Sequence, residues 1–412
     1  MGGADHQPGG ASAAARTQPG AWAVALAGLV ALGVAMGIGR FAFTPLLPMM
    51  LHDGAVTLGE GGWLATLNYL GYFAGAAACL FMHPDPARMV RYGLAATVLL
   101  TLGMAAPGGM AAWGLWRAAA GVASALTMVY TTAWCMHRLA ELGRAPLGGL
   151  IFCGPGIGIV VTGVSAFAMV GAGWRASWGW LAFGALAVAL VGMVWQVFRP
   201  ASRGARHEGP AAPARAAPRL DRETWLLTLA YGLAGFGYII TATFLPVIAR
   251  QAMPGSLWAD LFWPIFGAGV TIGAFAASKV STGRDNRRLL AFTYAMQAIG
   301  VAIAVVWPTV AGFALSSLLA GLPFNALVAF AMREARRLWG GQAQRLMGLM
   351  TASYGLGQIV GPPLATALVA RSGGFAASLC CAVAALLLGG AIFAWMGRAG
   401  PAPAPARETP AA

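Results

Sequence analysis

Apolar positions in this chain come in long unbroken runs. They do not alternate as in a half-buried strand, nor form the one-sided stripe of a soluble helix. Charged residues fall mostly in short stretches between the runs or at their ends. A helix that crosses a bilayer needs about 20 apolar residues. Twelve runs fit: residues 21–50, 60–82, 92–108, 110–136, 146–171, 176–197, 223–250, 256–279, 288–307, 309–332, 345–371 and 375–397. The pattern predicts an all-α polytopic membrane protein with twelve transmembrane helices. The first run exceeds the apolar core of a signal peptide, about 7–15 residues, and counts as a span.

The two ends and the middle carry no such pattern. Residues 1–20 and 398–412 read as disordered tails, rich in Gly, Ala and Pro. Residues 198–222, rich in Arg, Pro and Ala, read as a flexible linker. The expected organisation is a six-helix bundle over 21–197, the linker, and a second six-helix bundle over 223–397.

The two halves repeat one another. Gly37-Ile-Gly39-Arg40-Phe-Ala-Phe-Thr44-Pro45-Leu-Leu-Pro48 in the first span parallels Gly235-Phe-Gly237-Tyr238-Ile-Ile-Thr241-Ala-Thr243-Phe-Leu-Pro246 in the seventh, 198 positions on. The same offset of 198 carries Gly71 and Gly75 onto Gly269 and Gly273. An offset of 200 carries Arg117 and Gly121 onto Ser317 and Gly321, and one of 207 carries Gly154-Pro155 onto Gly361-Pro362. Six spans separate the equivalents, so both halves share one topology. That is a parallel repeat about a pseudo-twofold axis along the membrane normal.

Composition narrows the class. Of 412 residues, 59% are hydrophobic and 9% charged, and the mean hydropathy is +0.71. Soluble domains carry about 25% charged residues. A disordered chain, a secreted disulfide scaffold and an ordinary soluble enzyme are excluded. The net charge of +14 could suggest nucleic acid, but the arginines cluster between spans. Alternating spans place 21 Lys or Arg on the side of the termini and 3 on the other. The positive-inside rule then puts both termini in the cytoplasm. The five cysteines lie inside apolar runs and read as small hydrophobes. The tryptophans gather near span ends, as in an interfacial belt. Arg-rich, Lys-poor usage fits a bacterium with a GC-rich genome, hence the inner membrane.

Two local patterns name a family. Arg117-Ala-Ala-Ala-Gly121 resembles the fourth-helix motif of the major facilitator superfamily, and Gly149-Leu-Ile-Phe-Cys-Gly154-Pro155-Gly156-Ile-Gly158 resembles its fifth-helix motif, echoed at Gly357-Gln-Ile-Val-Gly361-Pro362. The run from Gly37 to Met50 is similar to the bacterial YbfB/YjiJ-type branch. The resemblance spans about Trp22 to Trp395 and implies alternating-access transport, with protons as a coupling ion. The family associates the fifth-helix motif with exporters. The family's motif between the second and third helices is degenerate here, reading His83-Pro-Asp85-Pro-Ala-Arg88-Met-Val-Arg91.

The candidate chemistry is what lies inside the spans. Arg40 and Arg117 are internal, and the spans as drawn hold no acid at depth. An arginine at a helix centre costs about 2.5–3.5 kcal/mol on insertion scales, so it lines a cavity or meets a partner. Arg40 and Thr44 share one helix face, as do Asn68 and Tyr72. In the second half the deepest polar groups are Tyr238, Asn325, Tyr354 and Gln358. One reading is a cationic, aromatic-edged pocket between the halves for a small anionic or polar solute, held bidentately through carboxylate or phosphate. The other is that the arginines bind carbonyls freed by Pro and Gly, the amides join helices, and the tyrosines pack. Gly37, Gly39, Pro45, Gly154, Pro155, Gly361 and Pro362 are candidate hinge or gating positions. Glu60, at the outer mouth, is the candidate proton site.

A secondary transporter is the leading expectation, against a membrane solute sensor or a membrane-embedded enzyme. No HExxH, Walker A or GxSxG pattern occurs. The expected partners are the lipid bilayer, a small-molecule solute and protons, with no cofactor, no metal and no nucleic acid. The chain is expected to act as a monomer.

Overall fold

The computed structural model describes residues 19–79, 81–82, 84–199, 221–281 and 283–398. Among these residues the chain is a succession of helical rods without a strand. In order they are α1 (Ala21–His52), α2 (Leu58–Ala78), α3 (Pro86–Gly103), α4 (Gly109–Glu141), α5 (Ala145–Gly171) and α6 (Ala176–Val194). Then come α7 (Arg222–Ala252), α8 (Trp258–Lys279), α9 (Asn286–Val306), α10 (Val310–Trp339), α11 (Ala343–Ser372) and α12 (Ala376–Arg398). Among the described residues nine rods, all but α2, α3 and α11, are long and apolar enough to cross a membrane. The expected tails, apart from Pro19, Gly20 and Arg398, and linker residues 200–220 lie outside the described residues.

Burial is inverted relative to a water-soluble protein. Leu99, Ile272, Phe292 and Val306 are exposed, while Arg40, Asn68, Arg117 and Gln358 are buried. Apolar surface on this scale calls for lipid. Trp22, Trp63, Trp174, Trp225, Trp307 and Trp395 are exposed near rod ends, where an indole can keep its N–H at the headgroup level.

Rod ends follow local chemistry more than hydropathy. Side chains of Thr57, Asp85, Asp221, Asp285 and Thr309 each accept a hydrogen bond from a backbone N–H of the first turn, satisfying donors that a helix start leaves orphaned. The third apolar run, expected over 92–108, is a helix over Pro86–Gly103 instead. Asp85 caps it and Pro86 fits its first turn. The fourth runs on to Glu141 and the tenth to Trp339, past the expected 136 and 332.

Two features position the middle of the molecule. First, α1 is interrupted. Residues Gly33–Ile38 form a wide π-type turn, and regular helix resumes only at Phe43. Pro45 and Pro48 lack the N–H that would close the next turn, and Phe41 N reaches back five residues to Met36 O. Second, helices touch backbone to backbone. A Cβ on Gly37 would stand 2.5 Å from Gly158 Cα, so α1 and α5 cannot separate by a side chain there. Gly121 of α4 likewise lies against the Asn68 carbonyl of α2.

Candidate functional site

Arg40 sits in the break of α1 and is 3% exposed. The irregular turn swings its guanidinium across to the second half of the chain. Its Nη2 donates to Gln358 Oε1 of α11 at 2.7 Å. Gln358 Nε2 in turn donates to the Tyr238 hydroxyl of α7 at 2.6 Å. The guanidinium carbon lies 4.1 Å from the Tyr72 ring centroid and 5.0 Å from that of Tyr69, cation–π geometry that compensates part of its lost hydration.

Tyrosines extend the cluster into the second half. Tyr238 stacks on Tyr354 with centroids 5.6 Å apart, and Tyr354 on Tyr231 at 4.7 Å. Phe324 of α10 meets Tyr238 edge-on at 4.9 Å. Toward the His52 end of α1 the halves are sewn together. Thr44 Oγ1 donates to Ala242 O at 2.7 Å, and Tyr69 Oη and Thr243 Oγ1 share a hydrogen bond of 2.8 Å. Tyr72 and Tyr354, on the opposite side of the cluster, keep partial exposure.

Arg117 plays a different part. Its guanidinium is 4.5 Å from the Phe43 ring centroid. Its Nη1 and Nη2 point at the carbonyls of Gly39 and Arg40, each at 3.4 Å. Asn68 Nδ2 donates to Arg117 O at 2.9 Å, binding α2 to α4. Arg117 therefore braces the break that presents Arg40. Among the described residues, Nε of both arginines and Oδ1 of Asn68 find no hydrogen-bond partner. Among the described residues no carboxylate pairs with either guanidinium.

The structure thus gathers Arg40, Tyr72, Tyr238, Tyr354 and Gln358 at one point, with Thr44 beside them and Asn68 and Arg117 behind. It does not bring Asn325 there: its Nδ2 donates to Phe152 O of α5 at 3.1 Å. Glu60 is engaged elsewhere too. Its carboxylate accepts from Thr57 N at 2.8 Å and Thr57 Oγ1 at 2.9 Å, completing a capping box on α2. The rings of Tyr72 and Tyr69 and the Gln358 amide pack directly on the Arg40 guanidinium. Of the hinge candidates, Gly37 and Gly39 belong to the irregular stretch of α1, while Pro362 of α11 lies at the seam between halves, its carbonyl against Gly62 of α2.

Two groups escaped the sequence reading. Tyr69 was hidden beside Asn68 and Tyr72 because its partner, Thr243, is 174 positions away. Glu334 is 1% exposed inside the continuing α10, so the core does contain a buried carboxylate. It is neutralised by Arg287 Nε at 2.7 Å and Arg337 Nη2 at 2.8 Å, which lets the helix run on past residue 332. The Glu334–Arg337 spacing on one helix face was the available signal.

These features define a class: a polytopic α-helical membrane protein with a desolvated cationic seam between its two chain halves. The chain belongs to the major facilitator superfamily of transporters; residues 32–394 match the family described as uncharacterised MFS-type transporter YbfB. It is also similar to a chloramphenicol resistance protein of Streptomyces lividans. The two are 28% identical over 296 residues, covering 69% of this chain and 71% of the relative.

Proposed function

We propose that this protein is a secondary transporter that moves a small anionic or polar solute across the bacterial inner membrane by alternating access. The observation that carries the reading is Arg40: a buried guanidinium at the seam between halves, held by a neutral amide and tyrosine rings, with no acid among the described residues to cancel it. A carboxylate or phosphate on the solute would replace the amide and bind bidentately. Arg40, Thr44, Tyr72, Tyr238, Tyr354 and Gln358 form the proposed binding surface. Asn68 and Arg117 hold it in shape, and Asn325 sets the neighbouring α5–α10 contact.

In this reading α2, α3 and α11 also span, giving twelve helices in two six-helix bundles with both termini cytoplasmic. Pairings of close-packed glycines support the repeat. Gly37 of α1 meets α5, and Gly235 of α7 meets α11; Gly121 of α4 meets α2, and Gly321 of α10 meets α8. The seam hydrogen bonds at Thr44 and Tyr69 close the outer side, and the partial exposure of Tyr72 and Tyr354 faces the cytoplasm. Alternating access breaks the first set and covers the second. The irregular stretch at Gly37, Gly39 and Pro45, with the Gly154-Pro155 and Gly361-Pro362 turns, supplies the bending. Protons are the proposed coupling ion. The name of the S. lividans relative, a resistance protein, favours export as the direction.

Flux into liposomes across a panel of carboxylates and phosphates tests this. Saturable uptake that Arg40→Gln weakens by about tenfold or more, at unchanged insertion, supports the transporter. Ligand binding without flux would make the protein a solute sensor instead.

A further inference from the structure

A second basic site lies far from Arg40 along the chain, at one end of the second half. A cavity of about 690 Å³ opens where the first turn of α9 meets the last turns of α10 and α12. Five arginines and two acids line it. The acids are spent on internal structure. Both oxygens of Glu334 are taken, Oε1 by Arg287 and Arg337 and Oε2 by Arg337 Nε at 3.0 Å. Asp285 Oδ1 accepts the backbone N–H of Arg287 at 2.9 Å, capping α9. Arg287 also donates to Met396 O at 2.8 Å and pairs with Glu223, so it is fixed in place.

That leaves the other bases with charge to spend. Arg284 and Arg336 are exposed at the rim and form no ion pair among the described residues. Among the described residues Arg333 donates to one neutral acceptor, Val280 O at 3.2 Å. The wall is therefore rigid and the rim cationic. Its position, at the ends of three rods, is where a bilayer places its headgroup phosphates.

We infer that this cavity binds a phosphate-bearing anion, with Arg284, Arg333 and Arg336 as its ligands on a wall braced by the Arg287–Glu334 pair. Guanidinium forks match phosphate oxygens in pairs. The same chemistry belongs to an anionic lipid headgroup and to a soluble phosphate ester, and the volume admits either. The site is independent of transport through Arg40, and its failure would leave that proposal standing.

The test uses the full chain and reads its thermal unfolding. In one arm the protein is placed in nanodiscs of phosphatidylcholine with and without phosphatidylglycerol. In the other it is held in detergent with inorganic phosphate or chloride at matched ionic strength. A specific ligand raises the unfolding midpoint with its concentration. The double variant Arg284→Gln/Arg336→Gln is compared with Arg88→Gln/Arg345→Gln, which removes two exposed arginines elsewhere at equal charge. The expected result is stabilisation by phosphatidylglycerol, phosphate or both, with at least tenfold weaker apparent affinity in the first variant and an unaltered one in the second. Stabilisation by phosphatidylglycerol alone assigns the headgroup, and by inorganic phosphate a soluble ester. No stabilisation in either arm, or equal loss in both variants, overturns the site.

Discussion

The guanidinium of Arg40 is joined to Gln358 by a hydrogen bond of 2.7 Å between residues 318 positions apart. The amide is orientated for this by its other end, which donates to Tyr238 Oη. One end of a side chain from the first half is thus held by a relay anchored entirely in the second. Opening the seam must break this bond or carry it with one half. Under the proposed function, a solute anion that took over Arg40 would free Gln358 and remove a bond holding the halves together, coupling binding to opening.

Replacing Arg40 by Gln should cut kcat/KM for transport by about tenfold to a hundredfold, the loss of one charge-assisted hydrogen bond worth about 1.5–3 kcal/mol. Arg40→Lys should restore little. A lysine ammonium cannot lie flat on Tyr72 and donate bidentately at once. Flux measured at matched protein density checks both. Wild-type kinetics in either variant would remove Arg40 from the transport path.

Gln358→Glu puts a carboxylate where the structure has an amide oxygen. Facing Arg40 in a dry seam, it becomes the negative partner that the native cluster lacks. The closed seam should tighten, with a higher unfolding midpoint and slower turnover. Gln358→Leu should do the opposite for the seam, exposing a cysteine introduced at Thr44 to an impermeant thiol reagent more readily. Equal labelling in all three proteins would mean that Gln358 does not hold the halves.

The legible part of this molecule was what the bilayer dictates. Long apolar runs mark rods because lipid leaves the backbone no partner but itself, and Arg40 stood out because charge in such a run is costly. Helix ends were misread where a polar cap outranked hydropathy, as at Asp85, or where a pairing neutralised a charge, as at Glu334. Gln358 and Tyr238 were named with Arg40, but their direct pairing could not be read. Gln358 and Tyr238 sit in other helices, and no local period connects them to Arg40. Whether these groups leave a pocket was illegible for a related reason. Sequence counts polar groups, but whether they enclose a space or fill it depends on how the halves lie.

Gly37→Val should be far more damaging than its apolar character suggests. The new Cβ meets Gly158 Cα at 2.5 Å, main chain against side chain with nothing flexible to yield. Overpacking of this kind costs about 1–3 kcal/mol, and here it also displaces the stretch that presents Arg40. Reduced monodispersity after extraction and a lower unfolding midpoint are expected. Gly20→Val is the control, since open space surrounds that position, and it should behave as wild type.

Glu60→Gln separates a cap from a proton carrier. Glutamine can complete the same capping box with Thr57 but cannot titrate. With both Thr57 donors committed to this carboxylate, the pH profile of transport should be the same in wild type and variant. A displaced profile would return Glu60 to the coupling pathway.

Glu334 offers the sharpest stability test. It is buried beneath two arginines, and Arg287 is itself buried and tied to Met396 O. Removing the acid alone leaves Arg287 with Glu223 as its remaining acid, so Glu334→Leu should cost less than the about 3–5 kcal/mol of a fully uncompensated buried charge. Arg337 is partly exposed and can turn to water, so it adds little to that cost. Arg287→Met alone should cost a similar amount, because Glu334 then loses its shorter partner. The double variant Arg287→Met/Glu334→Leu replaces the pair with apolar volume, and stability should return to within about 1–2 kcal/mol of wild type. Thermal unfolding of the four proteins closes the cycle. Strictly additive losses would show that the two side chains act independently and that the pair is not what allows α10 to continue.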